Sequence, residues 1–289
     1  MSQLEPLVID PETFLYKHCT LPALPEVLTE FQEIMNSPNA GAKEIAEIIN
    51  KDPAAVAQIL KIINSAYYSL PVEFSEVKLA VAYLGINEVY RIILSISVIN
   101  TLSTKEKDEF DHIWSHSLLT AFCAKYFAQK FEPLVDKNEL WTIAILHDIG
   151  KLVYLKFFPK HYLELRNYCK KNSCLFSQAE NDLAFPSSSY LGMLLCERWR
   201  LPDKIKKVCS SHGLHDLQKI DEENSKNSYR TMVILGNLVA ALSTDELNQE
   251  TKIEITDEIK NSLSIDESDF LLIMGDIVQL KEEASRLFS

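Results

Sequence analysis

Glycine is scarce in this chain, with only 7 among 289 residues. We find no glycine-rich phosphate loop, no dinucleotide-binding glycine pattern and no nucleophile elbow, so three common classes of enzyme site are excluded. Apolar residues recur at spacings of three and four far more often than they alternate, and this periodicity is typical of helices. The sequence therefore predicts an all-α fold.

The chain also lacks cysteine pairs and long apolar runs. Its six cysteines form no C-x-x-C pair, and we interpret them as small buried thiols rather than disulfides or zinc ligands. No apolar run approaches the roughly 20 residues that span a bilayer. The first residues, Met1-Ser2-Gln3-Leu4-Glu5, lack the basic and apolar regions of a secretory signal. We expect a cytoplasmic protein without a membrane partner.

Positive charge is in deficit, because 29 Lys and Arg stand against 41 Asp and Glu and give a net charge of −12. Nucleic acids and anionic membranes attract proteins through clustered positive charge. The balance therefore argues against general binding to either, and we expect no nucleic-acid partner, although a local basic patch stays open.

Caps and turn residues divide the chain into helices. Asp52-Pro53 is typical of a helix start, because Asp caps the backbone N–H groups and Pro suits the first turn. The charged run 103–108 is the best internal boundary, Leu140 to Phe158 reads as one helix, and the chain from about Thr251 reads as two or three amphipathic helices. Other predicted helices cover about Pro25–Met35, a short segment with Ile45, Ile48 and Ile49, Ser75–Leu84, Asn87–Leu102, Phe110–Phe131, Tyr162–Lys171 and Met232–Leu242, with further starts near Pro186 and Pro202.

An ordered set of motifs runs through both halves of the sequence. The first half contains Leu24-Pro25, Asp52-Pro53, Leu60-Lys61-Ile62-Ile63-Asn64-Ser65-Ala66-Tyr67-Tyr68 and Ala80-Val81-Ala82-Tyr83-Leu84-Gly85. The second contains Trp114-Ser115-His116-Ser117, Ala144-Ile145-Leu146-His147-Asp148-Ile149-Gly150-Lys151 and Trp199-Arg200-Leu201-Pro202. In this order and spacing, over about Leu21 to Leu242, the chain resembles the HDOD family, the HD-related output domains of bacterial signalling proteins.

The resemblance implies a multi-helix, HD-like bundle with an N-terminal helical subdomain. On this basis we divide the chain into an N-terminal segment 1–20, a helical HDOD subdomain 21–105, a degenerate HD-like subdomain 106–245 and a C-terminal helical segment 246–289. The partners expected from it are signalling proteins such as a sensor, a kinase or a response regulator. The oligomeric state stays open.

The resemblance also places metal-ligand positions. In catalytic HD proteins, His and Asp ligands hold divalent metal that activates water against a phosphate ester. By resemblance His116 corresponds to the first ligand, His147 and Asp148 to the doublet, and His212 to the second member of a later histidine pair. These four residues form our candidate metal site, which we interpret as vestigial.

Three further ligand positions of the active pattern carry weak ligands here. The last acidic ligand corresponds to Asn237, the histidine of an H-x-x-x-G element to Ser188, and the first member of the histidine pair to Ser211. One carboxylate would remain where the active pattern has two. We therefore expect no enzyme activity and no required cofactor, with an adventitious divalent metal left open.

Two readings of the surviving residues stay open, namely a metal site or a hydrogen-bonded polar cluster inherited from the enzyme fold. The preferred function is a non-catalytic module that acts through protein contacts, and the alternatives are a residual phosphodiesterase-like hydrolase and a nucleotide sensor that does not hydrolyse. We expect His112 to be exposed, Lys151 to pair with an acid or stay solvated, and Asn64 to organise a helix end. The aromatic cluster Tyr154, Phe157, Phe158 and Tyr162 is expected to pack in the core.

Overall fold

The computed structural model describes Asp10 and residues 26–35, 41–220 and 228–288. Over these residues the chain is helical and contains no strand, which confirms the all-α prediction. None of the described helices is long and apolar enough to cross a membrane. The predictions for segment 1–20, for Leu24-Pro25 and for Cys19 lie outside the described residues.

Contacts along the chain divide the described helices into two units. The first unit holds α1 (Glu26–Met35), α2 (Ala42–Ile49), α3 (Pro53–Ile63), α4 (Val77–Leu84) and α5 (Ile86–Leu102). The second holds α6 (Lys107–Phe131), α7 (Lys137–Ile145), α8 (Ile149–Phe157), α9 (Pro159–Asn172), α10 (Phe176–Asp182), α11 (Ser188–Arg198), α12 (Asp203–Ser210), α13 (Leu214–Ile220), α14 (Ser228–Thr244), α15 (Gln249–Leu263) and, as far as Ala284, α16 (Glu267–Phe288). The four-part domain division stays a prediction.

In the first unit, the polar side chains of Asp52 and Asn64 fix a helix start and a loop. The Asp52 carboxylate accepts from the backbone N–H groups of Ala54 and Ala55 at 2.9 and 3.3 Å, so α3 begins where the sequence predicts. The Asn64 side chain binds the backbone N–H and C=O of Phe74, both at 2.8 Å. It therefore closes the loop between α3 and α4, and its partner lies ten residues further on rather than at its own helix end.

Two glycines set the close helix contacts of the second unit. A Cβ atom at Gly236 would lie 2.7 Å from the Thr120 carbonyl oxygen, so glycine lets α14 approach the backbone of α6. A Cβ atom at Gly150 would lie 1.8 Å from the Ser188 carbonyl oxygen, so α8 meets the start of α11 backbone to backbone. Tyr154 and Tyr162 are fully buried as predicted, whereas Phe157 and Phe158 of the same cluster are only half-buried.

The predicted single helix from Leu140 to Phe158 is wrong. The structure has α7 and α8, with a tight turn through Leu146, His147 and Asp148 between them. The N–H of Ile149 donates to the Leu146 carbonyl at 3.2 Å, a three-residue bond that turns the chain. Continuous apolar spacing hid this turn, because the side chains on both sides of it are buried.

The later part of the chain matches its predicted pattern where it is described. The segment from about Thr251 forms the two helices α15 and α16, and Phe270, Ile273 and Ile277 bury one face of α16. Part of the polar stretch between His215 and Ser228 is helical as α13, and residues 221–227 lie outside the described residues. The five described cysteines are free and buried.

Candidate functional site

Five polar side chains from separate parts of the second unit meet in what we call the His–Asp cluster. His116 comes from α6, His147 and Asp148 from the α7–α8 turn, His212 from the residues after α12, and Asn237 from α14. All four of the candidate site residues His116, His147, Asp148 and His212 are buried. The fold thus brings together the four side chains that the sequence predicts as a site.

Local backbone bonds orient two of the imidazoles. The His147 Nδ1 atom donates to the Ala144 carbonyl oxygen at 2.7 Å, and the His212 Nδ1 atom donates to the Val208 carbonyl oxygen at 3.0 Å. Both carbonyl groups lie near helix ends, where they lack a partner within the helix. The Nε2 atoms of both rings are therefore directed at Asp148.

Asp148 has both of its carboxylate oxygens engaged. Oδ1 lies 3.1 Å from His212 Nε2. Oδ2 lies 2.7 Å from Lys151 Nζ, 3.4 Å from His147 Nε2 and 3.7 Å from His116 Nε2. The alternative in which Lys151 pairs with a neighbouring acid is the one observed, and the acid is the cluster's own carboxylate.

Asn237 stands where the resemblance places the last acidic ligand. Its Nδ2 atom donates to the His212 carbonyl oxygen at 3.0 Å, which fixes the orientation of the amide. Its Oδ1 atom therefore faces His116 Nε2 at 2.8 Å and His147 Nε2 at 3.4 Å. Gly236 permits this contact, because it allows α14 to approach α6.

The charges of the cluster follow from burial and from these contacts. Burial lowers the pKa of His147 to about 3 and also lowers the pKa of His116, in both cases against the attraction of Asp148. Burial acts to raise the pKa of Asp148, but Lys151, His147 and His212 together hold it well below its usual value. For Lys151, burial acts to lower the pKa, and Asp148 raises it above its usual value. The cluster therefore places two neutral imidazoles, those of His116 and His147, beside one lysine–aspartate ion pair.

Glu180 is a buried carboxylate near the cluster that sequence analysis missed. Its Oε1 atom accepts from the Ser188 backbone N–H at 2.6 Å. Burial, partly opposed by that hydrogen bond, raises its pKa to about 7. The sequence carried a signal for this burial. Glu180 lies one helical turn after Phe176 and next to Ala179, so it falls on the apolar side of its helix, where a carboxylate is unusual.

The remaining predicted positions have mixed outcomes. Ser188 is buried at the start of α11, where its backbone N–H and its hydroxyl both bind the Glu180 carboxylate. Ser211 is half-buried, with its Oγ atom 3.5 Å from the Lys207 carbonyl oxygen. The prediction that His112 is exposed is wrong: the side chain is half-buried, and burial lowers its pKa to about 4. His112 is partly covered because it lines a cavity that α9 and the end of α14 also border.

Two cavities border the His–Asp cluster. The first has a volume of about 270 Å³, and the second about 380 Å³. His116, Lys151 and Asp245 line both. The first cavity also contains Arg166, whose guanidinium is paired with Glu109 at 3.1 Å. Its walls thus carry charges of both signs, and the cations Lys151 and Arg166 are held in ion pairs.

The donor atoms of the cluster fit a divalent metal in type but not in charge. Ligand atoms of His116, His147 and Asp148 lie within 4.8 Å of one another, and imidazole with carboxylate suits several transition metals. Asp148 is the carboxylate of this set, and its Oδ2 atom is already in contact with the Lys151 ammonium. As arranged, the residues therefore do not offer a divalent cation the negative charge that it needs.

Comparison with solved structures shows the same fold in several bacterial proteins. An HDOD domain protein of unknown function from Geobacter sulfurreducens is 21% identical, with 96% of each chain covered and a TM-score of 0.71. A candidate metal-dependent phosphohydrolase from Shewanella amazonensis SB2B is 18% identical, with 96% of each chain covered and a TM-score of 0.69. A candidate signal transduction protein from Marinobacter aquaeolei VT8 is 18% identical, with a TM-score of 0.69. The match covers 98% of this chain and 61% of the Marinobacter chain.

Comparison with curated proteins finds no match. The family model of the HDOD domain matches residues 21–214, which is about two thirds of the chain and includes His116, His147, Asp148 and His212. With the helical fold and the His–Asp cluster in place, this match settles the family: the chain belongs to the HDOD domain family, whose fold is related to that of the HD phosphohydrolases.

Proposed function

We propose that this chain is a non-catalytic signal-transduction module that acts through contacts with signalling proteins. The observation that carries the proposal is the amide of Asn237 at 2.8 Å from His116, in the position expected of a second carboxylate. A metal-dependent hydrolase needs anionic ligands that balance the cation and hold it against substrate. With one carboxylate, and that one paired with Lys151, the cluster serves better as a rigid polar core.

The other altered positions support the same proposal. Ser188 and Ser211 stand where the resemblance expects histidines, and a neutral hydroxyl is a weak ligand for a divalent metal. The Ser188 backbone is held by Glu180, so this part of the chain contributes to packing. The cluster therefore connects α6, the α7–α8 turn, α12 and α14, and fixes their relative positions.

Metal-dependent turnover is the decisive test of the non-catalytic part. The purified protein is incubated with Mn²⁺ or Mg²⁺ and a panel of cyclic dinucleotides and simple phosphate esters, beside Asp148→Ala. We expect equal, background turnover from the two proteins. Metal-dependent hydrolysis that is lost in Asp148→Ala would contradict the proposal.

An exposed apolar patch on α4 supports the protein-contact part. Leu79 and Tyr83 lie one helical turn apart and are 52% and 55% exposed, and Val72 in the preceding loop is 55% exposed. Grouped apolar side chains on a surface mark interaction sites more often than isolated ones do. The patch lies within the residues that match the family model, and we assign it to a sensor, kinase or response regulator.

Site-specific photo-crosslinking tests this surface. A photoreactive amino acid is placed at Leu79 or, as a matched exposed control on another helix, at Ile253, which is 51% exposed. We expect a discrete adduct with a signalling protein from position 79 and none from position 253. Equal labelling from both positions, or none from position 79, would contradict the assignment of the patch.

A residual hydrolase is a second candidate, favoured by one observation. Metal-binding histidines commonly donate their other ring N–H to a backbone carbonyl group, as His147 and His212 do here. This candidate requires stoichiometric transition metal in protein purified without chelator and a higher thermal midpoint with Mn²⁺. The nucleotide-sensor alternative gains no support from Lys151 and Arg166, because both cations are already paired with carboxylates of the chain. Calorimetry with cyclic dinucleotides tests this alternative directly.

A further inference from the structure

One oxygen of Asp148 is shared between a lysine and two imidazoles. The Lys151 ammonium lies 2.7 Å from Oδ2, closer than His147 Nε2 at 3.4 Å and His116 Nε2 at 3.7 Å. The other oxygen, Oδ1, faces His212. A metal ion held by His116, His147 and Asp148 would therefore lie next to the Lys151 ammonium.

Several features hold Lys151 in this position. The residue lies in the first turn of α8, three residues after Asp148, so the two side chains share one face. The Phe176 ring lies on its other side, with the ring centre 5.3 Å from Nζ. The lysine side chain is 21% exposed and the Asp148 side chain 1%, so water screens the pair weakly. The contact is therefore built into the start of α8.

This arrangement sets two cations in competition for one carboxylate. A divalent ion at Oδ2 would stand at contact distance from the Lys151 ammonium, and repulsion between like charges is strong where solvent screening is weak. The lysine is tethered, so it is present at a high effective concentration beside Asp148 at all times. A free metal has to displace it and separate the partly buried ammonium from its carboxylate, which is costly.

We propose that Lys151 is a built-in counter-ion that takes the place of a divalent metal, and that removing its charge converts His116, His147 and Asp148 into a divalent-metal site. This inference concerns what the cluster binds and stands apart from the proposed signalling function. A metal bound after the lysine charge is removed needs no hydrolysis to be detected. The inference and the proposed function can therefore fail separately.

The test compares Lys151→Met with the wild type by calorimetric titration with MnCl₂ and, separately, ZnCl₂. We expect the variant to bind one ion with an affinity higher by about tenfold or more, because the competing charge is gone. Its thermal midpoint should rise on addition of metal by more than that of the wild type. Lys170→Met is the matched control, because Lys170 is an exposed lysine that lines the first cavity together with Lys151. This control should bind metal as the wild type does.

Two further variants make the test specific. Lys151→Gln keeps a hydrogen-bond donor beside Asp148 without the charge, and it should gain metal affinity like Lys151→Met. The double variant Lys151→Met with Asp148→Asn should lose that gain, because the amide oxygen carries no charge for the metal. If Lys151→Met is unstable without metal, Mn²⁺ should restore its folding.

The inference is overturned if Lys151→Met and Lys151→Gln bind Mn²⁺ and Zn²⁺ no more tightly than the wild type. It is equally overturned if Lys170→Met gains as much affinity, or if the gain survives the loss of Asp148. Failure of both single variants to fold even with metal present also counts against the inference. If the inference holds, a bound metal replaces the missing lysine charge and restores folding.

Discussion

His116 on α6 donates a hydrogen bond to the amide oxygen of Asn237 on α14 at 2.8 Å, and these residues lie 121 positions apart in the sequence. The bond forms where a catalytic relative would join a histidine and a carboxylate to a metal. In this chain the two side chains satisfy each other directly. Buried polar groups that are paired hold the elements that carry them together, so this bond joins α6 to α14.

The first prediction concerns Asn237→Asp. The substitution places a second carboxylate near Asp148 in a buried cluster and removes the donor to the His212 carbonyl oxygen. We expect the free energy of unfolding in urea to fall by about 2 kcal/mol without metal, because like charges are buried together. Added Mn²⁺ should recover part of the loss. An unchanged midpoint in both conditions would show that the amide has no special role.

The second prediction concerns Asp148→Asn. This change leaves the Lys151 ammonium partly buried and without its carboxylate, and removal of one partner of a buried ion pair is strongly destabilising. We expect the free energy of unfolding to fall by about 3 kcal/mol in urea titrations. Asp182→Asn is the control, because Asp182 is exposed and bonds only to the Tyr168 hydroxyl among the contacts described; its effect should stay within about 0.5 kcal/mol.

The third prediction sets two helical glycines against each other. Gly150→Ala places a Cβ atom 1.8 Å from the Ser188 carbonyl oxygen, so α8 and α11 must separate, and we expect a loss of about 3 kcal/mol or more. Gly275 on α16 has nothing within 4 Å of such an atom. Gly275→Ala should therefore raise stability by about 1 kcal/mol through helix propensity. Thermal unfolding of the two variants should shift in opposite directions.

The fourth prediction concerns the pH dependence of stability through Glu180. Its pKa is raised from 4.5 to about 7 in the folded protein, so the folded state holds this proton more tightly than the unfolded chain does. The contribution of Glu180 to stability is thus fully present below pH 4.5 and is lost as the pH rises through about 7. Glu180→Gln keeps the bond to the Ser188 N–H and cannot ionise.

We therefore expect the stability of Glu180→Gln relative to the wild type to increase between pH 4.5 and pH 7 and then to level off at about 3 kcal/mol. Urea titrations at half-unit pH steps measure the difference. A difference that does not vary with pH would mean that Glu180 titrates alike in the folded and unfolded states.

Much of the site could be predicted because its residues stand in ordered motifs. His116, His147, Asp148 and His212 were placed by resemblance, and the fold brings all four together. Asn237 was also placed by resemblance, at the position of the last acidic ligand, and its bond to His116 shows that it belongs to this cluster. Caps such as Asp52 were equally readable, because a cap is a local interaction between neighbouring residues.

The errors came from interactions that are not local. The turn at His147 was missed because buried side chains on both sides continue a helical spacing across it. Glu180 was missed because its partner, the backbone N–H of Ser188, lies eight residues further on at the start of another helix, which the pattern within α10 does not report. The half-buried state of His112 likewise depends on α9 and the end of α14, which a periodic pattern on α6 does not report.

The buried free cysteines give the protein built-in probes of local opening. Thiol reagents attack the thiolate, and burial raises the pKa of Cys123, Cys169 and Cys209, so labelling of these groups waits for the surrounding helices to open. The Cys209 Sγ atom donates to the carbonyl oxygen of Leu146, the first residue of the α7–α8 turn, at 3.1 Å. Its alkylation rate, followed by mass spectrometry, should therefore report how often the chain beside His147 opens, without any engineered label.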